Sequence, residues 1–192
     1  MQCGMHGYLK AMPPRVPVLK LKWRVTRYLL RFQLLQPLSN EQRINKMIAD
    51  FNQQSSRQIS TLPAWHFCDN EVDANECADL VLQGVKRATT SSLYWFEANN
   101  EALPRVGDLA IFTNWQGRPL GIIETTSVVI TPYNQITEAY AALEGEGDKS
   151  LRYWQQVHWP YYQRELHGTA YSRHPEMPLV CEQFQLVFKE SS

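Results

Sequence analysis

The sequence has no long apolar run, no closely paired cysteines and no acidic residue among its first forty positions. No segment approaches the roughly 18 to 20 consecutive apolar residues that a membrane-spanning helix requires, so we expect no membrane partner. The four cysteines form no C-x-x-C pair and follow no secretion signal, which indicates reduced thiols and a cytoplasmic location. Cys77 and Cys181 lie among apolar neighbours and are expected to be small core residues rather than nucleophiles.

The sequence also lacks the motifs of several large enzyme classes. It contains no Walker A loop, no Rossmann fingerprint and no nucleophile elbow. No second His or Cys stands at metal-ligand spacing from His158, which argues against a zinc site. We therefore expect no cofactor, with a divalent metal ion as the exception if the protein is a ribonuclease.

The net charge of zero hides a strong asymmetry along the chain. Residues 1–40 contain seven Lys and Arg and no Asp or Glu, whereas residues 47–192 contain ten Lys and Arg against eighteen Asp and Glu. A protein that binds nucleic acid mainly through phosphates needs a basic surface, because its affinity comes from neutralising them. The acidic body is therefore not expected to bind nucleic acid in general, which leaves a small ligand or a local basic pocket open.

Composition divides the chain into three parts. Residues 1–46 form a basic N-terminal extension, in which 19–35 mix basic and bulky apolar residues without acid. We expect a disordered tail or a misassigned start there, with a targeting peptide, an amphipathic helix or an interaction arm as alternatives. Residues 47–64 include a polar stretch typical of a linker, and residues 65–189 are predicted to form one compact domain.

Apolar periodicity within this domain predicts short strands separated by helices. Helical spacing predicts helices over 70–83, 93–98, 134–143 and 150–166. Alternation of apolar and polar residues predicts strands over 109–114, 120–130 and 179–188. Gly84 is expected to cap the first helix, and Pro160 to kink or divide the last one. Because no regular strand-helix repeat is present, the pattern favours an α+β fold with a barrel-like sheet over a doubly wound sheet.

A lysine and a threonine lie where the first predicted helix passes into a strand. The segment 84–89 reads Gly-Val-Lys-Arg-Ala-Thr and brings Lys86 and Thr89 to the start of that strand. A lysine there can bind an anion or, once desolvated, act as a base for a neighbouring hydroxyl. The alternative is that Lys86 is a solvated cation and Thr89 an ordinary strand residue.

Two further clusters could carry chemistry. The segment 144–148 reads Glu-Gly-Glu-Gly-Asp, which can bind a divalent cation or place one carboxylate as an acid or base. Its alternative is an acidic turn in which Asp148 caps the next helix. Trp154 and His158 lie four residues apart on one helical face, where they can stack a base and bind its edge or belong to the core.

Several separated segments agree with a single family pattern. They are 80–89, 104–108, 123–126, 144–148, 150–154 with His158, and 180–184. In this order and at this spacing they resemble the ASCH family, the domain related to the activating signal cointegrator and similar in fold to RNA-binding PUA barrels. The resemblance covers about residues 65–189 and implies a small PUA-like mixed β-barrel with flanking α-helices.

The resemblance also implies a function, because family members are RNA-binding modules, ribonucleases or amidohydrolases that deacylate N4-acetylcytidine. The amidohydrolase branch implies Lys86, Thr89 and Glu144 as catalytic residues of a hydrolase acting on RNA or a modified nucleoside. The alternatives are a non-catalytic RNA-binding module and a metal-dependent ribonuclease, for which Glu146 and Asp148 are weak candidate ligands. The residues predicted to bind the nucleoside, nucleotide or RNA are Arg87, Ser91, Glu124, Arg152, Trp154 and His158.

Overall fold

Every α-helix in the described part of the chain begins directly after a side chain that caps it. The computed structural model describes residues 37–190, so most of the predicted extension over 1–46 lies outside the described residues. The helices are α1 (Asn40–Ser55), α2 (Glu71–Leu82), α3 (Leu93–Asn99), α4 (Glu138–Glu144) and α5 (Leu151–Glu165). The caps, in the same order, are Ser39, Asn70, Ser92, Thr137 and Ser150, whose side chains each accept a hydrogen bond from a backbone N–H three residues further on.

Five strands form one mixed sheet in the order β1-β3-β4-β5-β2. They are β1 (Ala64–Trp65), β2 (Ala88–Ser92), β3 (Leu109–Thr113), β4 (Pro119–Pro132) and β5 (Pro178–Lys189). β1 runs parallel to β3, and the other neighbouring pairs are antiparallel. The predicted α+β class is confirmed. Within residues 37–190 the outer strands β1 and β2 do not pair with each other, so the predicted barrel is not confirmed.

Adjacent residues of β4 face opposite sides of the sheet and contact different helices. Ile122 packs with apolar residues of α1, whereas Ile123 packs with apolar residues of α2. A third cluster joins Trp154 and Tyr162 of α5 to β5. Cys77 and Cys181 are both buried in these clusters, as predicted.

Helix α1 occupies the first half of the segment that the sequence analysis assigns to a linker. Met47, Ile48 and Phe51 of this helix are buried against Ile111, Ile122 and Phe188 of the sheet. Both predictions are corrected here, because residues 40–46 of the predicted extension and 47–55 of the predicted linker form one helix that packs on the sheet. The polar character of 52–60 hides this, because the apolar residues that anchor α1 come just before it.

The other predicted helices agree closely with the observed ones. The helix predicted over 134–143 begins later, at Glu138, because Tyr133–Gln135 form a short 3₁₀ turn first. Pro160 lies inside α5, which continues to Glu165 and is not divided. Within residues 37–190, no helix is both long and apolar enough to cross a membrane.

We expect Phe51→Ala to lower the free energy of unfolding by about 3–5 kcal/mol, because it removes an aromatic ring from a packed cluster. The matched control is Gln53→Ala on the exposed side of α1, which should cost less than about 0.5 kcal/mol. Urea denaturation of both variants measures the difference. Equal stabilities would show that α1 does not contribute to the core.

Candidate functional site

Two backbone hydrogen bonds place the Lys86 side chain beside the end of α4. The N–H of Arg87 donates to the carbonyl of Leu143 at 2.8 Å, and the carbonyl of Arg87 accepts from the N–H of Phe184 at 2.9 Å. The segment between α2 and β2 is thus fixed between α4 and β5. Lys86 consequently lies next to Glu144, the last residue of α4.

The carboxylate of Glu144 is the centre of a buried polar cluster. Its side chain is 1% exposed and that of Lys86 is 2% exposed. Lys86 Nζ donates to Glu144 Oε2 at 3.0 Å, while Trp154 Nε1 donates to Oε1 at 2.8 Å and the Thr90 hydroxyl also donates to Oε1. His158 Nε2 lies 3.7 Å from Oε2, and its ring stacks on Trp154. Both carboxylate oxygens therefore have donors that hold the charge in place.

The Lys86 ammonium has a second acidic partner and an aromatic one. Its Nζ donates to Glu146 Oε1 at 2.6 Å and lies 5.5 Å from the centroid of the Phe67 ring. The same oxygen of Glu146 accepts a hydrogen bond from Cys77 Sγ at 3.4 Å. The Lys86 cation thus joins the end of α4 to the loop that follows it. Glu146 extends this contact to Cys77 of α2.

The two charged groups stabilise each other's ionised forms. Burial alone lowers the pKa of Lys86, but the carboxylates of Glu144 and Glu146 outweigh it and raise that pKa above its ordinary value. Burial likewise acts to raise the pKa of Glu144, and the nearby Lys86 cation reverses this and holds the pKa well below its usual range. At neutral pH the pair is an ammonium and a carboxylate.

This pair lies in the wall of a cavity of about 690 Å³. Its aromatic lining residues are Trp65, Phe67, Trp95, Phe96 and Tyr161. Its acidic lining residues are Asp69, Asp73, Glu101, Asp108, Glu144, Glu146, Glu165 and Glu182. Among the described residues, the Lys and Arg that line it are Lys86 and Arg164, and Arg164 Nε is paired with Asp69 at 2.6 Å. The cavity is therefore aromatic and negatively charged.

The structure brings some of the predicted site residues together. Lys86 and Glu144 are in direct contact, and Ser91 and His158 line the cavity. Trp154 lies behind the cavity wall, where it holds Glu144 through its indole N–H. Thr89 also lines the cavity, but the hydroxyl that contacts Glu144 belongs to Thr90, the next residue of β2.

Besides Trp154, three residues predicted to bind the ligand do not line the cavity. Arg87 and Arg152 are exposed on the surface. Glu124 pairs with Arg57 at 2.9 Å and accepts a hydrogen bond from Gln185 at 3.1 Å. The sequence places these side chains near the motifs, but their strands and helices turn them away from the cavity.

The two weak metal-ligand candidates face different partners. Glu146 contacts Lys86, whereas Asp148 accepts hydrogen bonds from the backbone N–H and hydroxyl of Ser150 at 2.9 and 2.6 Å. Residues 37–190 contain no group of three or more His, Cys, Asp or Glu arranged to hold a metal ion. Asp148 thus lies in an acidic turn before α5, but the predicted cap is corrected, because Ser150 caps this helix and Asp148 binds Ser150.

Sequence reasoning missed three polar residues of the site. Thr90 could have been found only with the register of β2, where it stands opposite Cys181 of β5. Glu165 and Glu182 are carboxyl groups in the cavity wall, and burial raises the pKa of each. Glu165 lies in a segment without a recognisable motif, whereas Glu182 lies in segment 180–184 of the family pattern, which does not single it out.

Comparison with known proteins supports a single family. The family model for the ASCH domain matches residues 63–188. The chain is similar to the crystal structure of an ASCH domain from Lactobacillus crispatus, with 40% identity, a TM-score of 0.70, and coverage of 80% of this chain and 98% of that one. It is also similar to a crystal structure from Enterococcus faecalis, with 32% identity, a TM-score of 0.71, and coverage of 77% and 89%. No match was found among curated proteins.

We expect Gly145→Ala to displace the loop that carries Glu146. Gly145 has a φ of +75°, and an added Cβ would lie 2.8 Å from the carbonyl oxygen of Val85. The matched control is Gly84→Ala, where φ is +72° and nothing lies within 4 Å, so only the left-handed backbone costs about 1–2 kcal/mol. Thermal unfolding should show that Gly145→Ala is less stable than the control by about 1–3 kcal/mol, because the added methyl group overpacks this contact. Equal effects would mean that the contact with Val85 relaxes freely.

We expect Lys86→Met to destabilise the fold by about 3–5 kcal/mol at neutral pH, because it leaves Glu144 buried without its cation. In the native protein the pKa of Glu144 is lowered, so its stabilising contribution is present above the ordinary pKa of 4.5 and is lost as pH falls. In the variant, desolvation favours the protonated carboxyl, so stability is gained as pH falls. The difference between the two proteins should therefore shrink toward pH 4.5.

Urea denaturation at several pH values measures this difference, with the exposed Lys189→Met as the matched control. The control should stay within about 0.5 kcal/mol of the native protein throughout. A difference for Lys86→Met that does not change with pH would contradict the assignment of Glu144 as its ionised partner.

Proposed function

The chain belongs to the ASCH domain family, and from this premise we propose that its cavity binds an N4-acylated cytidine-type nucleoside and hydrolyses the acyl amide. The observation that carries this proposal is the buried cluster of Lys86, Glu144 and Thr90 in the wall of an aromatic cavity. A nucleobase offers a flat ring for stacking and polar edges for hydrogen bonds, which such a lining suits. ASCH domains are in general associated with RNA, which agrees with a nucleoside-like ligand.

The charge of the cavity supports an uncharged ligand. Eight acidic residues line it, and its Lys86 and Arg164 are already paired with carboxylates. Among the lining residues that the structure describes, a phosphate group would meet a negative field and no unpaired Lys or Arg. A nucleoside avoids this cost, whereas a nucleotide or an RNA backbone does not.

The raised pKa of Lys86 changes the role that the sequence suggests for it. An ammonium that keeps its proton is a poor base, but it can stabilise the negative charge that develops on a carbonyl oxygen during acyl transfer. Glu144 is ionised and accepts a hydrogen bond from the Thr90 hydroxyl, so its position suits it to take a proton. Its lowered pKa makes it a weak base, so geometry rather than basicity supports this role. Lys86 therefore acts on the substrate carbonyl and Glu144 relays the proton.

The proposed reaction balances without a cofactor. A hydroxyl oxygen, from a threonine or from water, bonds to the acyl carbon, and its proton passes to Glu144. The carbon–nitrogen bond then breaks, and the nitrogen of the base takes the proton from Glu144. With a threonine nucleophile, Thr89 being the predicted one and Thr90 the one in contact with Glu144, water subsequently hydrolyses the acyl ester.

A non-catalytic RNA-binding module is the second candidate. The stacking surfaces of the cavity would suit a single unpaired base of an RNA as well as a free nucleoside. Such a module would need phosphate contacts outside the cavity and would bind RNA with a steep dependence on salt. A metal-dependent ribonuclease has less support, since Glu146 and Asp148 face different partners.

The test is to incubate the full chain with N4-acetylcytidine, its 5′-monophosphate and a short single-stranded RNA, with and without a chelator. We expect turnover of the nucleoside, weaker turnover of the monophosphate and no effect of the chelator. Lys86→Ala should lower kcat/KM by about 10²-fold or more, as loss of oxyanion stabilisation does. Arg152→Ala, an exposed site outside the cavity, is the control.

Thr89→Ala and Thr90→Ala then identify the nucleophile, because replacing the threonine that attacks should abolish hydrolysis. Activity that survives both changes assigns the attack to water. Full activity in folded Lys86→Ala would overturn the catalytic assignment. No turnover together with salt-sensitive RNA binding would favour the non-catalytic module, and cleavage of RNA that the chelator abolishes would favour the ribonuclease.

A further inference from the structure

We propose that Cys68 and Cys77 form a reversible disulfide in the cavity wall and thereby make the site sensitive to oxidants. Their Sγ atoms lie 3.5 Å apart, and both are free thiols in this structure. A disulfide needs the sulfurs to come to about 2.0 Å, so one side chain has to move by only about 1.5 Å. The two sulfurs are thus already near bonding distance.

The two thiols have different access to solvent. Cys77 is 2% exposed and is held on α2, whereas Cys68 is partly exposed and lines the cavity. Cys68 lies in the loop between β1 and α2 and has a left-handed backbone with φ of +60°, which is unusual outside glycine. An oxidant that enters the cavity therefore reaches Cys68 first, and the loop that carries it is the part that can move.

The local chemistry assigns a distinct role to each sulfur. The hydrogen bond with Cys68, together with burial, raises the pKa of the Cys77 thiol, so Cys77 keeps its proton. Cys68 is consequently the sulfur that attacks, and Cys77 the one that resolves. The arrangement matches that of redox-sensitive thiols, in which an accessible cysteine stands next to a second one.

The oxidant that fits this site is a small hydroperoxide. The thiolate of Cys68 attacks one peroxide oxygen, the oxygen–oxygen bond breaks, and a sulfenic acid and hydroxide form. The sulfur of Cys77 then bonds to the sulfenic sulfur, its proton passes to the departing oxygen, the sulfur–oxygen bond breaks and water leaves. In total, two thiols lose two hydrogens and hydrogen peroxide is reduced to two molecules of water.

The pair is connected to the buried cation of the site. Cys77 Sγ donates to Glu146 Oε1 at 3.4 Å, and the same oxygen accepts from Lys86 Nζ at 2.6 Å. A disulfide has no S–H, so oxidation removes the hydrogen bond from Cys77 to Glu146. The carboxylate that helps to hold Lys86 then loses a partner, and the position of the ammonium changes.

The first experiment reads the covalent change itself and does not depend on the proposed function. The full chain is titrated with hydrogen peroxide, its remaining thiols are alkylated under denaturing conditions, and it is digested with trypsin. No Lys or Arg lies between Arg57 and Lys86, so both cysteines fall in the tryptic peptide 58–86. We expect this peptide to lose both alkylation sites together and to weigh two hydrogens less, while Cys181 remains alkylated.

Treatment with dithiothreitol should restore both alkylation sites, and Cys68→Ser should abolish the paired loss. Cys181→Ser, which removes a buried thiol outside the pair, should leave it unchanged and is the matched control. Cys68 driven to sulfinic acid while Cys77 stays alkylated would overturn the proposal, as would a disulfide that includes Cys3 or Cys181.

The second experiment measures the consequence for the site and rests on the proposed function. The rate of N4-acetylcytidine hydrolysis after oxidation is divided by the rate after reduction. We expect the oxidised form to react about tenfold more slowly than the reduced form, both in the native protein and in Cys181→Ser. A tenfold effect is the scale of one hydrogen bond to a charged group. The ratio should stay near unity in Cys68→Ser. If the disulfide forms but neither state hydrolyses the substrate, the proposed function is rejected and the disulfide proposal stands. If the protein hydrolyses the substrate but no disulfide forms, the disulfide proposal is rejected and the proposed function stands.

Discussion

A lysine ammonium buried against a glutamate carboxylate is the constraint on which the site depends. Removing either charge from water costs several kcal/mol, and their attraction offsets this only when the geometry and the remaining hydrogen bonds are good. Glu144 meets this condition through donors from three separate elements: Lys86 before β2, Thr90 within it and Trp154 on α5. The end of α4 therefore has to meet β2 and α5 at one point.

The same pair lies where we propose that the function is located in the fold. Apolar residues of similar volume would give equal or greater stability at such a position, so a buried ion pair is weak evidence for a structural role. This pair opens onto a cavity rather than lying within one of the apolar clusters. The sheet and the capped helices supply the stability, and the pair supplies a fixed positive charge next to an ionised carboxylate.

Local patterns in the sequence predicted features that depend on neighbouring residues, such as helix bounds. They did not predict features that depend on contacts between residues far apart in the chain. The bounds of α2 followed from apolar spacing and from Gly84, and the resemblance to the family pointed to Lys86 and Glu144. The contact of Thr90 with Glu144 depends on how β2 aligns with β5, which no local pattern reveals. Helix α1 was missed because its polar end dominates the composition, although Met47, Ile48 and Phe51 stand at helical spacing. Closure of the sheet likewise depends on pairing between strands far apart in the chain.

In the proposed reaction, the positions of the acidic residues affect substrate binding and product release differently. The acidic residues of 47–192 are not evenly distributed over the structure, because eight of them line one cavity. An acylated nucleoside is neutral and enters this field at little electrostatic cost, and its stacking on aromatic walls needs no charge. Hydrolysis converts the acyl group into a carboxylic acid that ionises at neutral pH, and the resulting anion is repelled by the same residues. In the proposed reaction the cavity would therefore favour the neutral substrate and repel its anionic product, which would drive that product out.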